Sequence, residues 1–308
     1  MAAVAYYLLV YPLSLLPLRV IYLLSDALYV LLLTVFPYRR KVVDNNLRRS
    51  FPDKTEKEIK AIRRKFYRHF ADLLAESIKN LSVSKDELLK RIKVSNPEIM
   101  KGLHAKDKSV LLVSGHYNNW EWVITSLNLL FPHQAVGIGM PLSQKFWDEK
   151  VNKQRGRFGM VITHAKEVHT VFNNLSAKCI ATLILSDQSP GDTNRSYWMN
   201  FLHQQTAVIF GCEQLAHQYN HAVVFYHLKK VKRGYYEMTL QTITENPETC
   251  EWGEITEAHT HLLEKVIREE PAYWLWSHKR WKRELPKDLQ ALRSEQKRKF
   301  EERFKRNL

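Results

Sequence analysis

The sequence predicts an α/β fold, a mixed sheet flanked by helices, with an N-terminal apolar helix that anchors the chain to a membrane. Three observations carry this expectation. Short aliphatic runs alternate along the chain with stretches of helical period, as strands alternating with helices require. The run 110–113, Val-Leu-Leu-Val, is apolar on both faces, which suits a strand covered from both sides. Residues 2–36 are apolar almost throughout, with Arg19 and Asp26 the only formal charges.

The elements follow in order. Residues 18–36 are about as long as a segment that crosses the hydrocarbon of a bilayer. Pro12 and Pro17 break the stretch before them, and Asp26 is costly at mid-bilayer. The segment therefore predicts membrane contact and leaves spanning or lying in the surface open. It lacks a basic leader and a small-residue cleavage site, so retention is expected. Arg39, Arg40 and Lys41 follow at once, and the positive-inside bias puts the body on the cytoplasmic side of the membrane. Thr55-Glu56-Lys57-Glu58 is a capping box opening a helix whose apolar face is Ile59, Ile62, Phe66, Phe70, Leu73, Leu74 and Ile78. Ser84 starts another helix. Residues 109–113 are a buried strand, and a helix follows from Trp120 with Asn118 or Asn119 as its cap. Strands are expected at 135–138, 160–163, 180–185, 221–227 and 235–241, and helices at 167–175, 205–219 and 256–269.

Composition sets limits. A chain of 308 residues, 45% hydrophobic, can bury one substantial core. Cys179, Cys212 and Cys250 are too few and too far apart for a disulfide framework or a zinc site, which points to a reducing cytosol. The net charge of +15 is localised: residues 39–68 hold twelve Lys/Arg against four Asp/Glu, and residues 279–308 hold twelve against five. The body between is neutral. That distribution excludes a globally basic nucleic-acid surface and suits two patches on an anionic membrane surface; solvated helix faces are the plainer reading of the C-terminal one. The run Trp274 to Lys282 reads as interfacial tryptophans with headgroup-binding cations, or as Trp274 and Trp276 packed inside with Lys279 and Arg280 exposed.

Chemistry concentrates at Ser114-Gly115-His116-Tyr117-Asn118-Asn119-Trp120-Glu121. The strand 109–113 delivers His116 beyond its carboxyl end, where open α/β sheets bind ligands. Imidazole can take a hydroxyl proton near neutral pH, and Glu121 is the candidate carboxylate that orients it. Asp187-Gln188-Ser189-Pro190-Gly191-Asp192 leaves a second strand end, so two strand ends are expected to meet at one cleft; a Pro-Gly turn with an Asp cap is the plain alternative. Arg155 and Arg157 flank Gly156 with donors suited to phosphate or an oxyanion. No metal-binding motif, Walker loop or dinucleotide fingerprint occurs, so neither metal nor cofactor is expected.

The wording Gly115-His116…Asn119-Trp120-Glu121 resembles the lipid A late acyltransferases, with the H-x4-D/E motif of glycerolipid-type acyltransferases. Arg155 to Gly159, Asp187 to Pro190, Gln205 to Ala207 and Trp274 to Lys282 add to the likeness, over about residues 12–283. Many members carry Gly where this chain has Asn118, the non-glycine residue that best tolerates a left-handed backbone. The resemblance implies a glycerolipid acyltransferase-like fold over 37–283, between an anchor at 1–36 and a basic helical tail at 284–308. It implies an O-acyltransferase in which His116 is the base, with Glu121 as its partner. Arg157, with Arg155 as the alternative, is expected to contact substrate phosphate, and Asn119, Asp187 and Gln188 to line the site. Acyl carrier protein is the implied donor carrier and a lipid A precursor the implied acceptor, without nucleic acid. Another membrane lipid, an aminolipid or glycolipid, is the alternative acceptor, and a non-enzymatic basic protein the remaining reading.

Overall fold

A computed structural model describes residues 2–305. Seven of its strands form one mixed sheet. They are β1 (Ile92–Val94), β2 (Val110–Ser114), β3 (Gln134–Gly139), β4 (Val161–His164), β5 (Ile180–Leu185), β8 (Ala222–Lys232) and β9 (Tyr235–Thr244), in the order β1-β9-β8-β2-β5-β3-β4. Only β8 and β9 pair antiparallel, as their direct connection demands. β6 (Ser196–Phe201) and β7 (Gln204–Ile209) form a separate hairpin.

β2 lies at the centre and alternates its side chains between two cores. Leu111 and Val113 pack with Phe66, Tyr67, Leu263, Trp274 and Trp276, while Val110 and Leu112 pack with Leu18, Ile21, Trp122 and Leu127. Its apolar run is thus explained by burial on both faces. Helix Glu56–Lys79 begins with the expected capping box, and Ser84 caps the short helix Lys85–Arg91. Strands β3, β4, β5, β8 and β9 and the helices Val168–Asn174 and Glu254–Glu269 fall within a few residues of expectation. The exception is 205–219. Its first part is β7, and only Gly211–Tyr219 is helical; Gln204–Ile209 is extended because it pairs antiparallel with β6, a partner that local pattern does not reveal.

The N-terminal segment differs from a single anchoring helix. Among the described residues no single helix is long and apolar enough to cross a membrane; Ala2–Leu15 and Leu18–Thr34 reach that length and composition only as a pair, bent by 118°. Pro17 sits at the break as the N-cap of the second helix. Leu18–Thr34 packs on Glu56–Lys79: Ser25 donates to Asp72 at 3.1 Å, Tyr22 donates to Glu76 at 2.6 Å, and Asp26 is paired with Arg68 and Arg233. Leu23, Leu24 and Leu31 of this helix are exposed, as are Val35 and Phe36 just after it and Leu8 and Leu9 of the first arm.

Candidate active site

β2 and β5 run parallel, with Ser114 opposite Leu185. The next residues therefore emerge side by side. Onward from here the chain leaves β2 toward β3 on one side and β5 toward β8 on the other, so the crevice between them is a topological switch point. Gly115 permits the close approach, since a Cβ there would lie 2.7 Å from Leu263 Cδ2 and 3.0 Å from Asp187 Cγ.

Across this crevice His116 meets Asp187. The His116 ring Nδ1 lies 2.7 Å from Asp187 Oδ1, the His116 backbone N–H donates to Oδ2 at 2.9 Å, and Trp274 Nε1 donates to the same Oδ2 at 2.7 Å. The Asp187 side chain is 3% exposed and that of His116 17%. Burial pushes the Asp187 carboxyl up, but the charge and hydrogen bonds of His116, with the Trp274 bond, outweigh it and leave its pKa at about 2. Asp187 is thus a carboxylate at any physiological pH. It fixes the proton of His116 on Nδ1 and leaves Nε2 to accept. Gln188 Nε2 stands 3.2 Å from that nitrogen, and Trp120 packs edge-on at 5.0 Å between ring centroids.

The segment after helix Glu254–Glu269 clamps the His116 turn. Leu275 N–H donates to His116 O, Asn118 N–H to Tyr273 O, and Tyr117 bridges to Trp274. Asn118 has φ +53°, so the left-handed turn survives without glycine, and its amide donates to Leu228 O at 2.6 Å. His278 Nε2 accepts from Ser189 N–H at 3.0 Å, tying the same segment to the loop after β5.

The expected partnership of His116 with Glu121 is corrected. Glu121 faces Arg155 in a two-bond fork, Nη2–Oε1 at 2.5 Å and Nε–Oε2 at 3.1 Å. The reason is geometric: His116 lies in the turn before the helix Trp120–Leu130, Glu121 is in its first turn, and Trp120 takes the place against the imidazole. The pair with Arg155 instead joins that helix to Lys145–Gly156. Arg157 is likewise not beside His116. Its guanidinium donates to Leu81 O at 3.2 Å and Val83 O at 2.6 Å and stacks on Phe158. Asn119 caps the helix, accepting from Trp122 N–H, while its Nδ2 donates to buried Glu76 at 2.5 Å. Of the seven expected site residues, His116, Asp187 and Gln188 meet, Glu121 and Arg155 form a neighbouring pair, Asn119 supports the loop, and Arg157 holds a distant turn. Trp274 was not expected as a partner of Asp187; its burial was legible as packing, but its indole donor was not. Arg280, read as exposed, is buried.

Chemically, a buried carboxylate and an oriented imidazole whose Nε2 meets the Gln188 amide can serve as a general base. Among the described residues no group of three His, Cys, Asp or Glu could hold a metal ion, and the three cysteines are unpaired.

The family described as bacterial lipid A biosynthesis acyltransferase matches residues 2–283. The chain belongs to this family. No curated protein matches it. As a lipid A biosynthesis acyltransferase family member, it carries the family match from the bent N-terminal pair to Arg283, so the match takes in His116, Asp187 and the Trp274 clamp and stops short of helix Leu289–Phe304.

Proposed function

We propose that this acyltransferase moves a fatty acyl chain from an acyl carrier protein thioester to a hydroxyl of a lipid A precursor, with His116 as base and Asp187 as its orienting partner. The single observation that carries the mechanism is the 2.7 Å contact of His116 Nδ1 with Asp187. The acceptor hydroxyl replaces the Gln188 amide at His116 Nε2 and loses its proton there. Its oxygen attacks the thioester carbonyl, Asp187 stabilises the imidazolium, and collapse of the tetrahedral intermediate expels the thiolate, which takes the proton back from His116. The fatty chain needs no covalent stay on the enzyme. Ser114 lies at the buried end of β2 and is not presented as a nucleophile.

The reaction belongs at a membrane surface because both the acceptor and the transferred chain are lipids. Exposed Leu8, Leu9, Leu23, Leu24, Leu31, Val35 and Phe36 form the apolar face that would enter the cytoplasmic leaflet of the inner membrane, bordered by exposed Arg39, Arg40 and Lys41. The decisive assay uses the purified full chain with acyl carrier protein thioester and lipid A precursor in mixed micelles, read by mass spectrometry. A new acylated lipid in the native enzyme, reduced by roughly 10²–10⁴-fold in folded His116→Ala, is expected. Unchanged turnover in His116→Ala defeats the mechanism; acylation of some other membrane lipid but not of lipid A precursors defeats the acceptor assignment.

A further inference from the structure

Arg280 is 2% exposed, yet among the described residues its guanidinium has neither a hydrogen bond nor an ion pair. Other buried or half-buried arginines are partnered: Arg155 with Glu121, Arg157 with two carbonyls, Arg63 with Asp44. An ion in the interior without a hydrogen-bonding partner is costly to keep. Burial lowers the Arg280 pKa to about 10, so the side chain still carries its charge at neutral pH.

Its position gives that charge a purpose. Arg280 ends the segment that clamps the catalytic turn: Trp274 donates to Asp187, Leu275 to His116, and His278 accepts from Ser189. A tight turn, Arg280 N–H to His278 O at 2.9 Å, directs the chain back toward the body. Phe201 then carries both groups on one ring, Trp274 at 5.7 Å between centroids and the Arg280 guanidinium at 5.8 Å. Asp187 is the nearby charge that Arg280 feels, but its two oxygens are already engaged by the His116 ring, the His116 N–H and Trp274. The Ser189 hydroxyl, on the loop that His278 holds, is also buried without a partner. Arg280, a cation without a protein acceptor, thus lies on the segment that holds the orienting partner of the base, and Ser189, a hydroxyl without one, on the loop which that segment ties down.

We propose that Arg280 receives a phosphate group of a substrate bound at His116, with Ser189 as a second donor. This rests on the acyl-transfer reading above. A permanent phosphate suits the site better than the transient oxyanion, because only a group present from binding onward compensates the cation in the ground state. Two substrates could bring one: the acceptor lipid, through a sugar phosphate, or the donor, through the phosphodiester of its carrier arm.

Two measurements test this. Trp274 and Trp281 border Phe201 and Arg280, so titrating the full chain with inorganic phosphate should give a saturable fluorescence change, weakened by about 10–100-fold in Arg280→Gln, the loss expected of a charge-assisted hydrogen bond. Phosphate binding of equal strength in Arg280→Gln, or no binding to the native chain, overturns the proposal even if the enzyme is active. Steady-state kinetics then identify the source. If the acceptor supplies the phosphate, Arg280→Gln raises the acceptor KM by a similar factor and a dephosphorylated acceptor no longer distinguishes native from variant enzyme; if the donor supplies it, the donor KM rises alone. A fall in kcat with both KM values unchanged assigns Arg280 to the oxyanion and refutes the phosphate site. Arg280→Gln should melt no lower than the native chain, and if it does not fold, Arg280→Lys, which keeps the charge, must retain phosphate binding within about 10-fold or the proposal fails. Absence of acyl transfer in the native chain would sink the proposed function, while the phosphate titration would still decide this site.

Discussion

Asp187→Asn is the most informative single change, because the surroundings of Asp187 dictate how the amide must sit. Oδ2 of Asp187 accepts from two fixed donors, the His116 backbone N–H at 2.9 Å and Trp274 Nε1 at 2.7 Å. An asparagine must put its carbonyl oxygen there, since an amide NH2 against two donors is excluded. Its NH2 is then left facing His116 Nδ1 at the 2.7 Å position now held by Oδ1. That donor forces the imidazole proton onto Nε2, the nitrogen that has to accept. The lost charge is a second effect: His116 and Trp274 hold the Asp187 pKa down at about 2 against its burial, so a neutral amide also forfeits the stabilisation of the imidazolium. With the wrong tautomer added, turnover should fall by about 10³–10⁴-fold, while lipid binding and fold are kept. The assay is single-turnover acyl transfer, with nitrogen NMR of ¹⁵N-labelled imidazole reporting the tautomer. An Asp187→Asn enzyme that turns over within about 10-fold of native, or whose His116 keeps its proton on Nδ1, refutes the reasoning.

Other expectations follow from the same geometry. Glu121→Gln leaves Arg155 without its fork and should cost about 1–3 kcal/mol in denaturant melts, partly restored in Glu121→Gln/Arg155→Gln; turnover should keep the native pH profile, and a shifted profile would return Glu121 to the base. Asn118→Gly should lose about 1 kcal/mol with its bond to Leu228, whereas Asn118→Val adds roughly 1–3 kcal/mol for a β-branched residue at positive φ; equal melting of the two variants would contradict the left-handed turn. The depressed pKa of Asp187 means that its stabilising contribution is complete above the ordinary carboxylate value and is lost as pH falls from about 4 toward about 2. The stability gap between native and Asp187→Asn enzyme should therefore close across that window in acid titrations. Replacing Leu23, Leu24 and Leu31 by Glu should release the chain from membranes that retain the native protein through a high-salt wash, because salt screens charge attraction but not apolar burial.

The sequence by itself determined what local pattern can determine. The apolar run of β2, the capping box at Thr55, the cap at Ser84, a cap at Asn118 or Asn119, which the structure gives to Asn119, and the tolerance of Asn118 for positive φ are properties of a few neighbouring residues, and each appears in the fold. His116 was legible because a strand end and a helix start bracket it within one short motif. Its partner was not. Glu121 is near in sequence but turned away, whereas Asp187, 71 residues on, is brought to Nδ1 by the parallel register that sets Ser114 opposite Leu185. The same limit explains β7, whose residues read as helix until β6 pairs with them, and Arg280, whose burial depends on a loop folded back over Phe201. Tertiary structure also placed Leu18–Thr34 against Glu56–Lys79 and beside the β8–β9 turn, giving Asp26 one arginine from each, Arg68 and Arg233. Local sequence sets backbone preference and polarity, but the partner of a charge is chosen by which strands and helices come to lie side by side, and that is a property of the packed chain as a whole.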